Sequence, residues 1–137
     1  MISGFTSTVS EHVLAVFNSD TSGHYWWTET YTFGSGATWG GPATHTSADS
    51  VAVAVLNVGA TAGGASTCEI LSYASAVLEK HVTCVGNYFD ATDGVEQVEN
   101  FNGVWIVSSP AAITSIVLGV GTDDFGVGTV ATLYGEQ

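Results

Sequence analysis

The sequence contains no arginine and one lysine, Lys80, against thirteen Asp and Glu, for a formal net charge of -12. A phosphate backbone is held by a field of Lys and Arg that releases its counterions. Nucleic acid is therefore excluded as a partner, and an anionic membrane surface on the same ground. The apolar runs are short, about eight residues against the ~20 that a spanning helix needs, so no membrane insertion is expected. Met1-Ile2-Ser3-Gly4 has neither a basic stretch nor a continuous apolar one, and the expectation is a chain with no signal peptide.

Catalytic and metal signatures are missing as well. There is no Gly-x-Ser-x-Gly elbow, and the glycine-rich loops carry no Walker lysine. The four histidines, His12, His24, His45 and His81, share no ligand spacing, and two isolated cysteines make no zinc site. Asp90-x-x-Asp93-Gly94 and Gly121-Thr122-Asp123-Asp124 offer oxygens to calcium, but neither fits an EF-hand loop, and Asp-Gly turns form without metal. The reading is a protein without enzyme activity, cofactor or metal.

What the sequence does have is strand grammar. It holds 17 glycines, only two prolines, and many short runs of Val, Ile, Thr and aromatics, so an all-β chain with glycine-rich turns is expected, one domain over residues 1–137. Glu11-His12-Val13-Leu14-Ala15-Val16-Phe17 is apolar on both faces, and residues 24–33 alternate with Tyr25, Trp27, Tyr31 and Phe33 on one side. Residues 34–48 read as a long irregular segment around Gly40-Gly41-Pro42. Residues 49–59 form a further strand. Residues 67–73 and 78–85 make a hairpin; centred on Ala76, it sets Cys68 opposite Cys84, Ile70 opposite Val82 and Leu71 opposite His81. A helix over residues 70–80 is the competing reading.

Asn102-Gly103 is the strongest two-residue turn signal, and it sets Phe101 against Val104 and Glu99 against Ile106. Residues 104–108, 112–120 and 127–134 supply three closing strands, expected at the centre of a sheet, for about nine strands in all.

Few residues are left over for function. Cys68 and Cys84 are either a cross-strand disulfide or two buried thiols packed as small hydrophobes. Core packing accounts for Trp27 and Trp105, whereas Trp26, Trp39 and His45 are candidates for an interface or a ligand contact. The acidity reads as solubility and suppression of self-association, or as adaptation to high salt, where screening shortens repulsion.

The chain resembles small virion surface proteins and modules of tailed bacterial and archaeal viruses. The resemblance rests on Phe17-Asn18-Ser19-Asp20-Thr21 with Tyr25, on Ile70-Leu71-Ser72-Tyr73 followed by Lys80, on Val104-Trp105, and on Ala112-Ile113-Thr114-Ser115-Ile116. Its most distinctive part is Phe125-x-x-Gly128-x-x-x-x-Leu133-Tyr134-Gly135. It implies an antiparallel, jelly-roll-like β-sandwich serving as head decoration or as a fibre module, assembled in the host cytoplasm and displayed on the virion surface. Its partners would be itself, with a trimer as the first guess by analogy, other virion proteins, and a host surface glycan. A receptor- or carbohydrate-binding module using Trp26 and Trp39, at a tail-fibre tip or as a free lectin-like domain, is the alternative. The basic residues such chains often carry near their first strands are absent here.

Overall fold

Period-two alternation of β-branched and aromatic side chains is realised as strands throughout, in a computed structural model that describes residues 2–3, 11–33, 39–56, 64–90, 95–120, 125 and 129–135. In chain order these are β1 (Ile2–Ser3), β2 (Glu11–Phe17), β3 (Tyr25–Phe33), β4 (Trp39–Ala48), β5 (Val51–Leu56), β6 (Ala65–Leu71), β7 (Lys80–Asp90), β8 (Val95–Trp105), β9 (Ile116–Val120) and β10 (Val130–Ala131). No helix occurs among the described residues, and the helix considered over residues 70–80 is instead the end of β6, a loop and the start of β7.

The strands form two antiparallel sheets. One runs β10-β1-β6-β7-β8-β3-β4, five long strands with two two-residue strands at one edge; the other runs β5-β2-β9. The pairs β1–β10, β2–β9 and β3–β8 are nested in the sequence and alternate between the sheets. That wrapping of a double ribbon across two layers is the jelly-roll pattern. The fold is an antiparallel β-sandwich.

Val13, Ala15 and Phe17 of β2 and Val51 and Val53 of β5 are buried with Tyr25, Trp27, Val82, Cys84, Phe101 and Trp105 of the larger sheet. Phe17 meets Trp105 edge-on at 5.8 Å between ring centroids, and Tyr25 stacks on Trp105 at 6.4 Å. Burial of these side chains supplies the main stabilisation, on the order of 1.5–3 kcal/mol for each large one. Tyr25 carries its polar end into this core without loss: its hydroxyl accepts the Phe17 N–H at 2.7 Å and donates to the Phe17 carbonyl at 3.4 Å. Burial first, then the nearby Asp20 charge, push the phenol up to about 12 despite that N–H bond.

The β6–β7 register sets Cys68 against Cys84, Ile70 against Val82 and Leu71 against His81, as a hairpin centred on Ala76 requires. Cys68 and Cys84 are joined by a disulfide, S–S 2.10 Å, across a separation of 16 residues. In the loop between these strands lies the fate of the only basic side chain. Lys80 is 1% exposed, and its Nζ donates to the Ser75 carbonyl at 2.8 Å and to the Leu78 carbonyl.

Three expectations are corrected. Asn102-Gly103 is not a turn but lies inside β8, where Gly103 faces Trp27 on one side and Val82 on the other, and Phe101 faces Glu29 and Cys84. Gly103 is required by closeness, since a Cβ there would lie 2.7 Å from Val51 Cγ2 and 3.0 Å from Trp27 Cβ. Residues 39–48 are a strand, irregularly registered on β3 between Tyr25 and Trp27 and between Glu29 and Tyr31, and such bulges admit Gly and Pro. The closing runs are not central: β9 and β10 are edge strands of their sheets, and residues 106–115 are irregular.

Gly103→Ala should lower stability by roughly 1–3 kcal/mol, because the added methyl meets a β-branched neighbour in a filled core. Asn102→Ala, on the exposed face, should cost under about 0.5 kcal/mol. Urea unfolding of both variants checks the pair; equal losses would restore the turn.

Candidate binding surfaces

The turn that carries the chain from β2 to β3, and so from one sheet to the other, is fixed by two polar side chains. Asn18 and Ser19 take left-handed backbone conformations, φ 52° and 59°, which Asn accepts better than most residues. From there the Asn18 side chain donates to the Ala112 carbonyl at 2.9 Å and accepts the Thr114 N–H at 2.8 Å, the Thr114 hydroxyl at 3.1 Å and the Ser115 N–H at 3.2 Å. Asp20 Oδ2 lies 2.7 Å from Trp105 Nε1, which donates to it, and 2.7 Å from His24 Nδ1, while Oδ1 accepts the Ser22 N–H. Desolvation works to raise the Asp20 pKa, but the bonds from Trp105, His24 and Ser22 outweigh it and hold the carboxyl below its ordinary value. This is a structural knot, and it positions residues 112–115.

Those residues wall an open apolar groove. Two adjoining hollows of about 260 Å³ each lie between β9, β6 and the 129–135 segment, and they share Cys68, Ile70, Ile116 and Leu133. One extends to Tyr73 and Ile113, tied by the bond from Ile113 N–H to the Tyr73 carbonyl at 2.7 Å. Among the described residues, no charged side chain lines either hollow. Leu133 and Tyr134, in the wall, are 78% and 79% exposed, and Val117 on β9 is exposed as well.

A second surface lies on the outer face of the larger sheet. Trp26, 48% exposed, is flanked by Thr28, Thr44, His45, His81 and Asn102 around a shallow depression of about 310 Å³. His45 stacks on buried Trp27 with ring centroids 3.7 Å apart. Trp26 and Trp27 point to opposite faces because side chains alternate along a strand. Trp26 and His45 thus both border the depression, but the His45 ring lies against Trp27 rather than Trp26, while Trp39 begins β4 opposite Thr32 and its side chain is outside the described residues. The disulfide between Cys68 and Cys84 borders the apolar groove, not this depression.

Sequence reasoning missed a third feature, inside the sandwich. Gln97 and Glu99 face inward with Phe101 and Trp105, and Val98 faces out, the reverse of what local polarity indicates. The aromatic anchors set the phase, and period two carries it to Glu99. Tyr88 Oη donates to Gln97 Oε1 at 2.6 Å, and His12 Nε2 lies 2.5 Å from Glu29 Oε2. Glu99 Oε2 is buried with no hydrogen-bond partner. Burial, and then the charge of Glu29, push the Glu99 carboxyl up to about 7 against the Tyr88 hydrogen bond. Nothing local marks this cluster, because His12, Glu29 and Glu99 come from β2, β3 and β8 and meet only in the fold.

No family model, curated protein or solved structure matches the chain. Among the described residues no three His, Cys, Asp or Glu side chains gather to hold a metal ion, and no helix is long and apolar enough to cross a membrane. Of the turns considered for calcium, Gly121–Asp124 and residues 91–94 lie outside the described residues, as does the Asp90 side chain.

Glu99 gives a defined pH dependence. Its folded pKa, about 7, lies above the ordinary 4.5. The folded state therefore holds a proton that the unfolded chain releases, and the contribution of Glu99 to stability falls as pH rises from about 4.5 to about 7, by on the order of 3 kcal/mol at most. Glu99→Gln should flatten that slope and raise the melting temperature above neutral pH; an unchanged profile would show that Glu99 is not a buried acid.

Proposed function

We propose that the chain is a non-enzymatic structural protein of the surface of a tailed virus particle, a head decoration or fibre module that works by contact. The observation that carries the reading is an extended apolar groove, with no charged side chain among its described lining, on a sandwich whose formal charge is -12. Apolar patches of this kind on a soluble domain mark contact surfaces. The resemblance of the Asn18, Lys80, Trp105 and Leu133-Tyr134-Gly135 motifs to virion surface modules supplies the setting. The disulfide fits a protein displayed outside the cell, where such bonds persist.

A specific observation favours one second reading. Exposed Trp26 beside Thr28, Thr44 and Asn102 presents an aromatic face with hydroxyl and amide groups around it, the chemistry that stacks on and hydrogen-bonds a neutral sugar. That reading makes the chain a receptor- or glycan-binding module, either at a fibre tip or free.

Co-sedimentation with purified particles decides the first reading. Hundreds of copies per particle are expected for head decoration and dozens for a fibre, and absence from particles would overturn it. For the second, a glycan array should give signals that Trp26→Ala abolishes; a blank array would remove it.

A further inference from the structure

The apolar groove carries more than a general role in contact, because its geometry indicates what fills it. Its wall, the 129–135 segment, turns Leu133 and Tyr134 outward, so that two large apolar side chains stand beside two hollows on one surface. A knob next to a hole on the same patch is self-complementary under a two-fold rotation, with each copy filling the other. We propose that the groove is an interface between copies of this chain, in which Leu133 and Tyr134 of one copy enter the hollows beside Ile70, Ile113 and Ile116 of another. The inference rests on the reading of a self-associating contact protein and names its surface and its occupant.

Charge selects the same occupant. Two identical chains of -12 repel wherever their carboxylates face each other, and one lysine, buried at 1% exposure, offers no compensating cation. The sequence carries no charged residue from Ile70 to Leu78, from Val104 to Thr122 or from Phe125 to Gly135. Apart from Ala15, Phe17, Val53 and Cys68, which are uncharged, the residues that line the groove lie in these stretches, so a second copy approaching there meets no like charge from the described lining. A basic partner would be drawn to the carboxylate-bearing faces and would find nothing to pair with here. Strand β9 is the edge of its sheet on this side among the described strands, with β2 as its one described neighbour. A β edge left open beside an apolar groove is a docking template for another chain.

Repulsion between the remaining surfaces gives the contact a signature. Salt screens the long-range repulsion and leaves apolar burial in place, so association should strengthen as ionic strength rises, opposite to an interface built on ion pairs.

The test is sedimentation velocity of the full chain, from low micromolar to sub-millimolar concentration, at low and high sodium chloride. The intact chain should form a closed oligomer, more tightly at high salt. Leu133→Glu with Tyr134→Glu should weaken association at least about tenfold, as expected for loss of central apolar anchors. Both side chains are largely exposed within one copy, so the melting temperature at concentrations where the chain is monomeric should be unchanged, and Tyr134→Ser alone provides a milder variant with the same direction. Val85→Thr, on the outer face of the larger sheet, should leave association as it is. A monomer at every concentration and both salts would overturn the inference, as would an oligomer indifferent to Leu133 and Tyr134. A chain that associates through the groove but is absent from particles would leave this inference standing and remove the virion reading; a monomer found on particles would do the reverse.

Discussion

The structure depends on the polar tie at the crossing between sheets. One amide, Asn18, bonds to Ala112, Thr114 and Ser115, and one carboxylate, Asp20, receives Trp105 and engages His24. Each of these bonds is worth on the order of 1 kcal/mol net, but leaving a buried partner such as the Trp105 N–H unpaired costs more. The tie acts on three elements together. It holds the β2–β3 turn in a left-handed conformation, closes the aromatic core at Trp105, and anchors the irregular 112–115 segment from which β9 starts. Without it, β9 would lack a fixed approach to β2 and the groove would lose a wall. Several residues quoted for the resemblance, Asn18, Asp20, Trp105 and residues 112–115, are members of this tie and fasten the sandwich, whereas Leu133-Tyr134-Gly135 stands outside it.

The scarcity of positive charge shapes the rest. With its lysine consumed by the Ser75 and Leu78 carbonyls, the described surface presents no Lys or Arg to pair with thirteen acids. Acids placed inside must then be managed by histidine, by hydrogen bonds or by protonation, and all three occur: His12 beside Glu29, Trp105 and His24 on Asp20, and a carboxyl pushed up to about 7 at Glu99. Under the proposed self-association, the same composition that argues for solubility leaves the groove as a face on which copies can approach.

Much of the fold was legible because burial imposes a period on the sequence. The alternation at Tyr25, Trp27 and Tyr31 identified β3, and it separated Trp26 from Trp27 by face. The pairing of Cys68 with Cys84 followed from a hairpin whose centre the sequence marks. Long-range packing decided what could not be read. Gly103 signals a turn locally, yet it is glycine because Val51 of the opposite sheet comes close. Gly40, Gly41 and Pro42 look like a loop and sit in a bulged strand. Glu99 looks outward-facing and is carried inward by the phase of Phe101 and Trp105. The one lysine, Lys80, is a buried loop clip, which nothing in its local sequence marks. Of the candidate site, Trp26 was visible as an aromatic without a core role, whereas the groove was not, because it is assembled from β6, residues 112–116 and the 129–135 segment, which meet only in the folded chain.

Amide hydrogen exchange on the intact chain at low and at high protein concentration tests the central claim most directly, since it locates the contact as well as detecting it. Concentration-dependent protection is predicted at residues 113–118 and 130–135, with none gained around Trp26 or along the outward-facing positions of β7. Protection gained on that outer face instead, or none gained anywhere, would contradict the account.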